Sequence, residues 1–287
     1  FLLVTRSAMV YSLLATDLDG TLLNRAAQIS EGNISALRRC GEQGIVRVAA
    51  TGRSYYSSLR VLADNAPIDY LVFSCGAGVL RWSDRQLLYS RTFSQDAAAK
   101  IGRLLQQERL AFMAHAPIPF NHFFWYDDAG QATNKDLLAR IAHYEECVLG
   151  RVNATSFAGG LTQFLVTTEC SEEQFASLSL QFAPFAETIR STSPFLPSHK
   201  WLELFPKGVN KGAGLLWLCH ELGIATEDVA VVGNDYNDLP MLERFPAAYV
   251  VGNAPSQLKE RFEVVATNDA DGVAEVVTNL MHHSPRN

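Results

Sequence analysis

The chain has 287 residues, a formal net charge of −6 and a hydrophobic fraction of 48%. This length can bury a large core in one elaborate domain or in two, and we predict two. The acidic charge gives no support to nucleic-acid binding, and the composition is that of an ordinary globular protein.

Cysteines and apolar runs indicate where the protein acts. The five cysteines are scattered without a C-x-x-C pair, which is typical of buried thiols in a reducing compartment. No apolar run reaches the roughly 18 to 20 residues that a membrane-spanning helix requires. We therefore expect a cytoplasmic protein with no membrane partner. Met9 is the expected natural first residue, and residues 1–8 are expected to be added sequence with no part in the fold.

Strands and helices alternate in the first part of the chain. The apolar strand "VYSLLAT" is followed by helix-like spacing from Ser30 to Gly44, by the strand "IVRVAA", by a helix from Ser54 and by the strand "YLVFS". The pattern resumes late in the chain with a helix from Asn210 and the strand "VAVVG". This alternation predicts an α/β fold with a Rossmann-like, doubly wound parallel sheet. Ligands of such sheets bind at the carboxyl ends of the strands.

The middle of the chain, residues 81–200, has a different pattern. It contains a hairpin-like pair ("GVLRW" and "QLLYSR"), a helix from Ser94, the strands "LAFMAH" and "FFWYDD", a further helix and the strand "LTQFLVTTE". This order predicts a separate α+β domain inserted into the parallel one. The core would then consist of residues 9–80 and 201–281.

A pair of carboxylates follows the first predicted strand in "TDLDGTLL". Asp17 and Asp19 stand two residues apart and are followed by Gly20 and Thr21. Two carboxylates this close repel each other unless a cation or hydrogen-bond donors offset the charge. The bare Asp-Gly is equally typical of a simple turn, so this motif alone leaves both interpretations open.

Two weaker signals follow later strands. "AATGRS" supplies the hydroxyl of Thr51, exposed backbone at Gly52 and the cation of Arg53, although alone it is more typical of an ordinary helix start. In "PKGVNKGAGLL", Lys211 stands at the beginning of a predicted helix, where the helix dipole disfavours a cation. A partner anion would account for Lys211, whereas Lys207 in the preceding Pro-Gly turn reads as a solvated side chain.

The stretch "VVGNDYNDLPML" places two Asn-Asp pairs directly after a predicted strand. A capped turn accounts for one or two such residues but not for four. A hard divalent cation would gather amide and carboxylate oxygens, although these alone would make a thin site. The remaining ligands would come from another strand end.

The order of these motifs resembles the haloacid dehalogenase superfamily, and most closely its Cof-type phosphatases with a large inserted cap domain. The resemblance rests on "TDLDGT", "ATGR", "NKG" and "GNDYND" in that order, and it covers the chain from Tyr11 to about Met281. It implies a phosphomonoesterase that acts on small phosphorylated metabolites, with sugar phosphates as the expected class, and whose cap determines substrate specificity.

The resemblance also implies a mechanism. Asp17 would attack the substrate phosphorus and form an aspartyl-phosphate. Asp19 would protonate the leaving oxygen and then activate water. Mg²⁺ would be held by the Asp17 carboxylate, the backbone carbonyl of Asp19 and a phosphate oxygen. Asn234, Asp238 and, less centrally, Asp235 would complete the metal site.

Further roles follow from the same resemblance. Thr51 and Lys211 would bind the phosphoryl oxygens and are counted with the catalytic residues. The predicted substrate-binding residues are Gly20, Thr21, Gly52 and Arg53.

Two positions depart from the family pattern. The family usually has Gly-Asp-x-x-Asn-Asp in its last motif, and in this register Asn234 replaces the first Asp. An amide oxygen still coordinates Mg²⁺ but brings no negative charge. Cys75 in "SCGAG" stands where many relatives carry Asn.

Three rival functions fit this sequence less well. A phosphomutase of the same superfamily would use Asp17 and Asp19 but commonly has a smaller helical cap. A catalytically silent sugar-phosphate-binding protein is supported only by Asn234. A receiver domain that is phosphorylated on Asp would be less than half this length. We expect a small phosphorylated metabolite as partner and no nucleic acid, and the sequence leaves the oligomeric state open.

Overall fold

The structure is a computed structural model that describes residues 11–130, 134–153, 155–158, 160–193, 195–196 and 199–282. The expected added segment 1–8 and the expected first residue, Met9, lie outside these ranges. The chain forms two compact units. Unit 1 comprises the chain up to Gly52, Ser58–Leu88 and the chain from Lys211 onward, and unit 2 comprises Arg53–Ser57 and Tyr89–Asn210.

Strands and helices alternate at both ends of the described chain. The strands are β1 Leu13–Thr16, β2 Val46–Ala50, β3 Tyr70–Phe73, β4 Gly78–Arg81, β5 Leu87–Ser90, β6 Phe112–His115, β7 Phe124–Asp127, β8 Val148–Arg151, β9 Gln163–Thr168, β10 Glu187–Thr192, β11 Lys200–Phe205, β12 Val229–Gly233, β13 Ala247–Val251 and β14 Glu263–Val265. The α-helices are α1 Glu31–Glu42, α2 Tyr55–Leu59, α3 Gln95–Gln107, α4 Lys135–His143, α5 Glu172–Phe182, α6 Lys211–Leu222, α7 Leu239–Leu242, α8 Ser256–Lys259 and α9 Gly272–His282.

Unit 1 is built on a sheet with the strand order β14-β13-β12-β1-β2-β3-β4-β5. The pairs from β14 to β3 are parallel, and β4 is antiparallel to β3. The chain runs outward from β1 to β3 and returns to β12 on the other side of β1. The carboxyl ends of β1 and β12 therefore lie at a point where the strand order reverses, which is where ligands of open α/β sheets bind.

The apolar strands explain why this sheet lies in the middle of unit 1. Every residue of β1 and β12 is buried, without the alternation that an exposed face would require. Helix α1 begins after Ser30, whose side chain accepts a hydrogen bond from the Asn33 N–H, and it buries one face against the rest of the unit. The predicted α/β class with a doubly wound parallel sheet is confirmed.

Unit 2 is an α+β unit with the strand order β10-β11-β9-β6-β7-β8. All its strand pairs are antiparallel except β7–β8. Successive residues of β6 point to opposite faces of this sheet. Phe112 packs in a cluster with Ile101 of α3 and Phe182 of α5, whereas Met113 packs with Leu137 of α4. Helices α3 and α5 thus cover one face, and α4 covers the other.

The unit boundaries differ from the predicted limits at Arg81 and Lys200. Arg81 ends β4, which pairs with β3 and so belongs to the sheet of unit 1. Lys200 begins β11, which pairs with β9 and β10 and so belongs to unit 2. The main segment of unit 2 therefore begins at Tyr89 and ends at Asn210.

The cysteines form no disulfides, and the described helices are short or polar. All five cysteines are free, and only Cys170 among them is not fully buried. None of the helices that the structure describes is long and apolar enough to cross a membrane.

Candidate active site

The candidate site lies at the carboxyl ends of β1, β2 and β12. Asp17 follows β1 directly, and its N–H donates to the Val232 carbonyl of β12 over 2.9 Å. Thr51 follows β2, and its N–H donates to the Val72 carbonyl of β3 over 2.8 Å. Asn234 follows the last residue of β12. The parallel sheet therefore brings the first, second and last motifs to one edge.

Lys211 forms buried ion pairs with two carboxylates at this edge of the sheet. It is the first residue of α6, and none of its side chain is exposed. Its Nζ lies 2.6 Å from Asp17 Oδ1 and 2.6 Å from Asp238 Oδ1. Gly212 lets α6 approach closely, because a Cβ at this position would lie 2.1 Å from the Pro240 carbonyl oxygen. Two carboxylates of the same unit are thus the partner anions that account for Lys211.

Asp238 differs from its predicted place among the metal ligands. One of its oxygens is bonded to Lys211, and the other accepts from the N–H groups of Asn234 over 2.8 Å and Asp235 over 3.0 Å. Both oxygens are therefore engaged, one by Lys211 of α6 and the other by the backbone of the loop. The reason is local, because Tyr236–Asp238 form a 3₁₀ turn that directs the Asp238 side chain back toward the loop backbone and Lys211. Asp238 positions Lys211 in this structure.

Burial and charge pairing act together on the protonation of this group. Burial raises the pKa of Asp17 to about 7, Lys211 opposes this shift, and Asp238 and Asp19 add to it. Burial alone would lower the pKa of Lys211, but Asp17 and Asp238 outweigh burial and raise it above its ordinary value. We hold that Lys211 is charged, because each of its two carboxylate contacts measures 2.6 Å. The interior of the site thus contains a fixed positive charge.

Asn234 lies against the other oxygen of Asp17. One polar atom of its side-chain amide lies 3.2 Å from Asp17 Oδ2, 3.1 Å from the backbone oxygen of Asp19 and 3.1 Å from the Thr21 hydroxyl. The amide nitrogen satisfies these oxygens by donating hydrogen bonds. If the amide turns over, its oxygen joins Asp17 Oδ2 and the Asp19 carbonyl in a group of three oxygens.

This group of oxygens fits Mg²⁺. Neighbouring ligands of an octahedral Mg²⁺ site are about 2.9 Å apart, since each oxygen lies roughly 2.0–2.1 Å from the ion. The separations of 3.1 and 3.2 Å around Asn234 are close to that value. The donors are one carboxylate, one backbone carbonyl and one amide. No group of three His, Cys, Asp or Glu side chains among the described residues could hold a metal ion, so a metal ion at this edge would also need backbone and amide oxygens.

Gly20 fixes the loop that carries Asp19. Its φ is +74°, and a Cβ on it would lie 2.6 Å from the Asn234 amide. Its carbonyl accepts a hydrogen bond from Asn253 Nδ2 over 2.8 Å. The sequence interpretation missed Asn253, because a single Asn in "VVGNAPS" carries no signal for a contact with a residue so far away in the chain.

The remaining predicted residues have different surroundings. Asp19 is exposed, whereas Thr51 is fully buried. A Cβ on Gly52 would contact the Cys75 sulfur at 3.4 Å, so the backbone here is closely packed. Asp235 caps its own turn by accepting from the Tyr236 N–H over 2.8 Å. Arg53 belongs to unit 2, where its guanidinium donates to the Ser57 carbonyl over 3.1 Å.

Comparison with known proteins identifies the class. Residues 14–277 match the family of haloacid dehalogenase-like hydrolases. The chain is 27% identical over 279 residues to an HMP-PP phosphatase of Yersinia enterocolitica, covering 95% of this chain and 96% of that protein. The chain therefore belongs to the haloacid dehalogenase-like hydrolases, and it is a phosphatase of the Cof type.

Solved structures show the same fold. A phosphatase of the HAD superfamily from Bacteroides thetaiotaomicron superposes with a TM-score of 0.77 at 20% identity, covering 97% of this chain and 98% of that one. A HAD subclass IIB sugar phosphatase superposes with a TM-score of 0.73 at 20% identity, covering 94% and 99%. The resemblance inferred from the motifs is confirmed.

Proposed function

We propose that the protein is a Mg²⁺-dependent phosphomonoesterase that hydrolyses small phosphorylated metabolites, sugar phosphates among them, through an aspartyl-phosphate. The observation that carries this proposal is the setting of Asp17 at the reversal point of the sheet. One of its carboxylate oxygens is 2.6 Å from Lys211 Nζ, and the other is 3.2 Å from the Asn234 amide. A carboxylate held in this way keeps a fixed orientation toward an incoming phosphorus atom.

Asp17 and Asp19 divide the chemistry. An Asp17 oxygen attacks phosphorus, the bond between phosphorus and the leaving oxygen breaks, and Asp19 gives its proton to that oxygen. Asp19 then takes a proton from water, whose oxygen attacks the same phosphorus. The bond to Asp17 breaks, and inorganic phosphate leaves. The exposed side chain of Asp19 suits an acid that must reach the leaving group.

Lys211 and Thr51 would stabilise the negative charge of the phosphoryl group. Lys211 supplies a buried cation beside Asp17, and Thr51 supplies a hydroxyl at the next strand end. Preorganised charges and dipoles in a dry site stabilise a transition state more than they would in water. Mg²⁺, held by Asp17, the Asp19 carbonyl and Asn234, would neutralise charge that otherwise repels the nucleophile.

Substrate discrimination is assigned to unit 2. Its main segment leaves unit 1 after Leu88 and returns at Lys211, so both chain connections are close in sequence to elements of the sheet that carries the site. Lids on α/β enzymes commonly enter at such positions. The names of the relatives, an HMP-PP phosphatase and a sugar phosphatase, support a small phosphorylated metabolite as substrate.

Replacing Asp17 tests the chemistry. Asp17→Asn keeps the shape of the side chain but removes its nucleophilic charge, so turnover of an aryl phosphate should fall by about four orders of magnitude or more. Phosphate release measured with and without EDTA tests the metal in the same assay. A variant that retains the parent rate would refute the covalent mechanism. A parent protein that binds phosphate esters but releases no phosphate would indicate a binding protein.

A further inference from the structure

A cavity of about 520 Å³ opens at the amino ends of the strands of unit 1. Its walls come from the segment before β1, from the connection between α7 and β13, and from the beginnings of β13 and β14. The side chains that matter for its chemistry are those of Tyr11, Phe245, Tyr249, Arg261, Phe262 and Glu263. A volume of this size is typical of a small-molecule site.

This cavity is distinct from the candidate active site. All of its lining residues belong to unit 1. Tyr11 precedes β1, and Asp17 follows the end of that strand. A strand rises by about 3.3 Å per residue, so these two residues are roughly 20 Å apart. A ligand in the cavity would therefore leave the carboxylates of the active site untouched.

Aromatic rings form much of the cavity wall. Tyr11 and Tyr249 are each 8% exposed, and Phe245 is 2% exposed. Phe262 lies at the beginning of the segment that enters β14, and it is half-buried. Rings that are packed this firmly against the unit keep their positions whether or not a ligand is bound, so the wall is preformed.

Two phenol hydroxyls are accessible at this cavity. Those of Tyr11 and Tyr249 have no hydrogen-bond partner among the residues that the structure describes, and both oxygens remain accessible to water. Burial, with Glu263 and Tyr11 adding to it, raises the pKa of Tyr249 to about 12, and burial and Glu263 also raise the pKa of Tyr11. Both phenols are therefore protonated near pH 7, and each oxygen has lone pairs to offer to a donor.

The charges at the cavity leave one carboxylate unmatched. Arg261 is paired with Glu243, since their side chains approach to 2.5 Å. Glu263 forms no ion pair within the described part of the chain, and its negative charge acts on both tyrosines. Glu263 is also the register partner of Tyr249 in the parallel pair of β13 and β14, so the two side chains are neighbours. The cavity therefore presents a negative charge beside two phenols.

This combination selects a cation. An anion would be repelled by Glu263, and the guanidinium that could attract it is already paired. A protonated amine donates its N–H groups to the carboxylate and to phenol oxygens, and aromatic rings attract a cation through their negative faces. An exposed carboxylate alone attracts a cation weakly, so the rings and the phenols supply the rest of the affinity. The apolar part of such a ligand would pack against Phe245 and Phe262.

We propose that the cavity at the amino ends of β13 and β14 is a second ligand site, which binds an organic ammonium ion with an apolar body. The ammonium group lies among the Glu263 carboxylate and the phenol oxygens of Tyr11 and Tyr249. The site is separate from the proposed phosphatase chemistry, and its test requires no turnover.

Three probes of the same size and different charge test the chemistry of the site. They are phenethylammonium, neutral 2-phenylethanol and the phenylacetate anion, each titrated calorimetrically into the parent protein at pH 7. Phenethylammonium should bind with a Kd of about 1 mM or lower, and 2-phenylethanol should bind about fivefold more weakly. Phenylacetate should not bind measurably. Equal binding of all three, tightest binding of phenylacetate, or no binding of phenethylammonium would each overturn the proposal.

Variants of the lining residues test the place of binding. Glu263→Gln keeps the shape of an exposed side chain, so the fold should survive while phenethylammonium binds about fivefold more weakly and 2-phenylethanol binds as before. Tyr249→Phe should weaken phenethylammonium about threefold, because one acceptor is lost. Glu260→Gln is the matched control, since Glu260 is exposed and lies outside the cavity wall. If Glu260→Gln weakens binding as much as Glu263→Gln does, the amine senses only the overall charge and the proposal fails.

The acidic edge of the active site is the rival place for a cation. Asp19 is exposed there, and Asp19→Asn should bind phenethylammonium with the parent affinity. If Asp19→Asn loses binding and Glu263→Gln retains it, the amine binds at the catalytic edge and the second site is refuted.

Discussion

Units 1 and 2 both bury charged side chains, but they treat the polar atoms of those side chains differently. In unit 1, Lys211 contacts two carboxylates, and both oxygens of Asp238 accept hydrogen bonds. In unit 2, Arg140 Nε and His115 Nε2 are buried with no partner. Each unmatched buried polar group costs free energy. Unit 1 thus pairs its buried charges with one another, whereas unit 2 leaves buried polar atoms without a partner.

The free-energy cost of a substitution should therefore differ between the two units. Breaking a complete buried ion pair leaves a charge that the rest of the fold cannot compensate. Removing a polar atom that already lacks a partner leaves nothing further unpaired. Substitutions at Lys211 or Asp238 in unit 1 should therefore affect both stability and activity, whereas a substitution at His115 in unit 2 should affect mainly the response to acid.

The largest effect is expected for Lys211→Met. Asp17 and Asp238 would remain buried without their cation, and one of them would have to take up a proton to stay buried. We expect stability to fall by about 3–5 kcal/mol. Turnover should fall by at least about 100-fold, because the proposed mechanism uses this charge to stabilise the phosphoryl group. Urea unfolding and steady-state kinetics at saturating Mg²⁺ measure the two effects.

Lys207→Met is the matched control. Lys207 is exposed, and its Nζ donates to the Ala183 carbonyl. This change should alter stability by less than about 0.5 kcal/mol. If Lys211→Met is no more harmful than Lys207→Met, the closed set of contacts around Asp17 does not hold the site together, and the contrast between the two units fails.

A smaller effect is expected at Asn234, the proposed amide ligand of Mg²⁺. Asn234→Asp adds a negative charge beside Asp17 Oδ2, so the Mg²⁺ concentration for half-maximal activity should fall about tenfold, because site charge tunes affinity for hard cations. Asn234→Ala should raise that concentration. Mg²⁺ should also raise the Tm of Asn234→Asp more than that of the parent, which is a readout independent of turnover.

Asp235→Ala is the control for this register. Asp235 accepts a hydrogen bond from the Tyr236 N–H and lies outside the three converging oxygens. The Mg²⁺ requirement should therefore remain near the parent value. If Asp235→Ala raises the Mg²⁺ requirement steeply and Asn234→Ala does not, Asp235 is the ligand. The alignment of this loop with the family motif would then be wrong by one residue.

Unit 1 was accessible from sequence because its signals are local. Buried parallel strands are continuous apolar runs, and the polar residues that follow them meet at one sheet edge, so Asp17 and Asn234 could be brought together in advance. The contact between Asp238 and Lys211 could not be predicted in this way. Spacing on a helix suggested that Asp238 faces the metal with Asn234, but the 3₁₀ turn at Tyr236–Asp238 directs it to Lys211.

Unit 2 was less accessible because its contacts are not local. Strands β10 and β11 and helix α5 were not predicted, since "ETIRST" and "KWLELF" mix charged and apolar residues without a clean period. The contact between Gln163 and Glu203 joins residues 40 positions apart through the antiparallel register of β9 and β11. No pattern within a single element predicts a cluster made in this way.

The smallest effect is expected in the acid response of unit 2. His115 has a folded pKa of about 3 and an unfolded value of 6.5, so between these values the unfolded chain binds more protons. Stability should therefore be lost as the pH falls from 6.5 toward 3, by an amount on the order of a few kcal/mol. Asp17 acts in the opposite direction, because its folded pKa is raised to about 7 and its protonation favours the folded state in acid. The pH dependence of the unfolding free energy contains contributions from both units. The contribution of His115 is therefore obtained from the difference between the parent and a His115 variant.

His115→Asn removes the titrating ring and keeps a donor to the Asn121 carbonyl, whose oxygen lies 2.9 Å from His115 Nδ1. Urea unfolding of the parent and the variant at several pH values between 7 and 4 gives that difference. The variant should gain stability relative to the parent at each step below pH 6.5, whatever its stability at pH 7, because it has no neutral ring to keep unprotonated. His143→Asn, which changes an exposed histidine of the same unit, should follow the parent. If the difference between His115→Asn and the parent does not change with pH, the ring of His115 is not held neutral by burial.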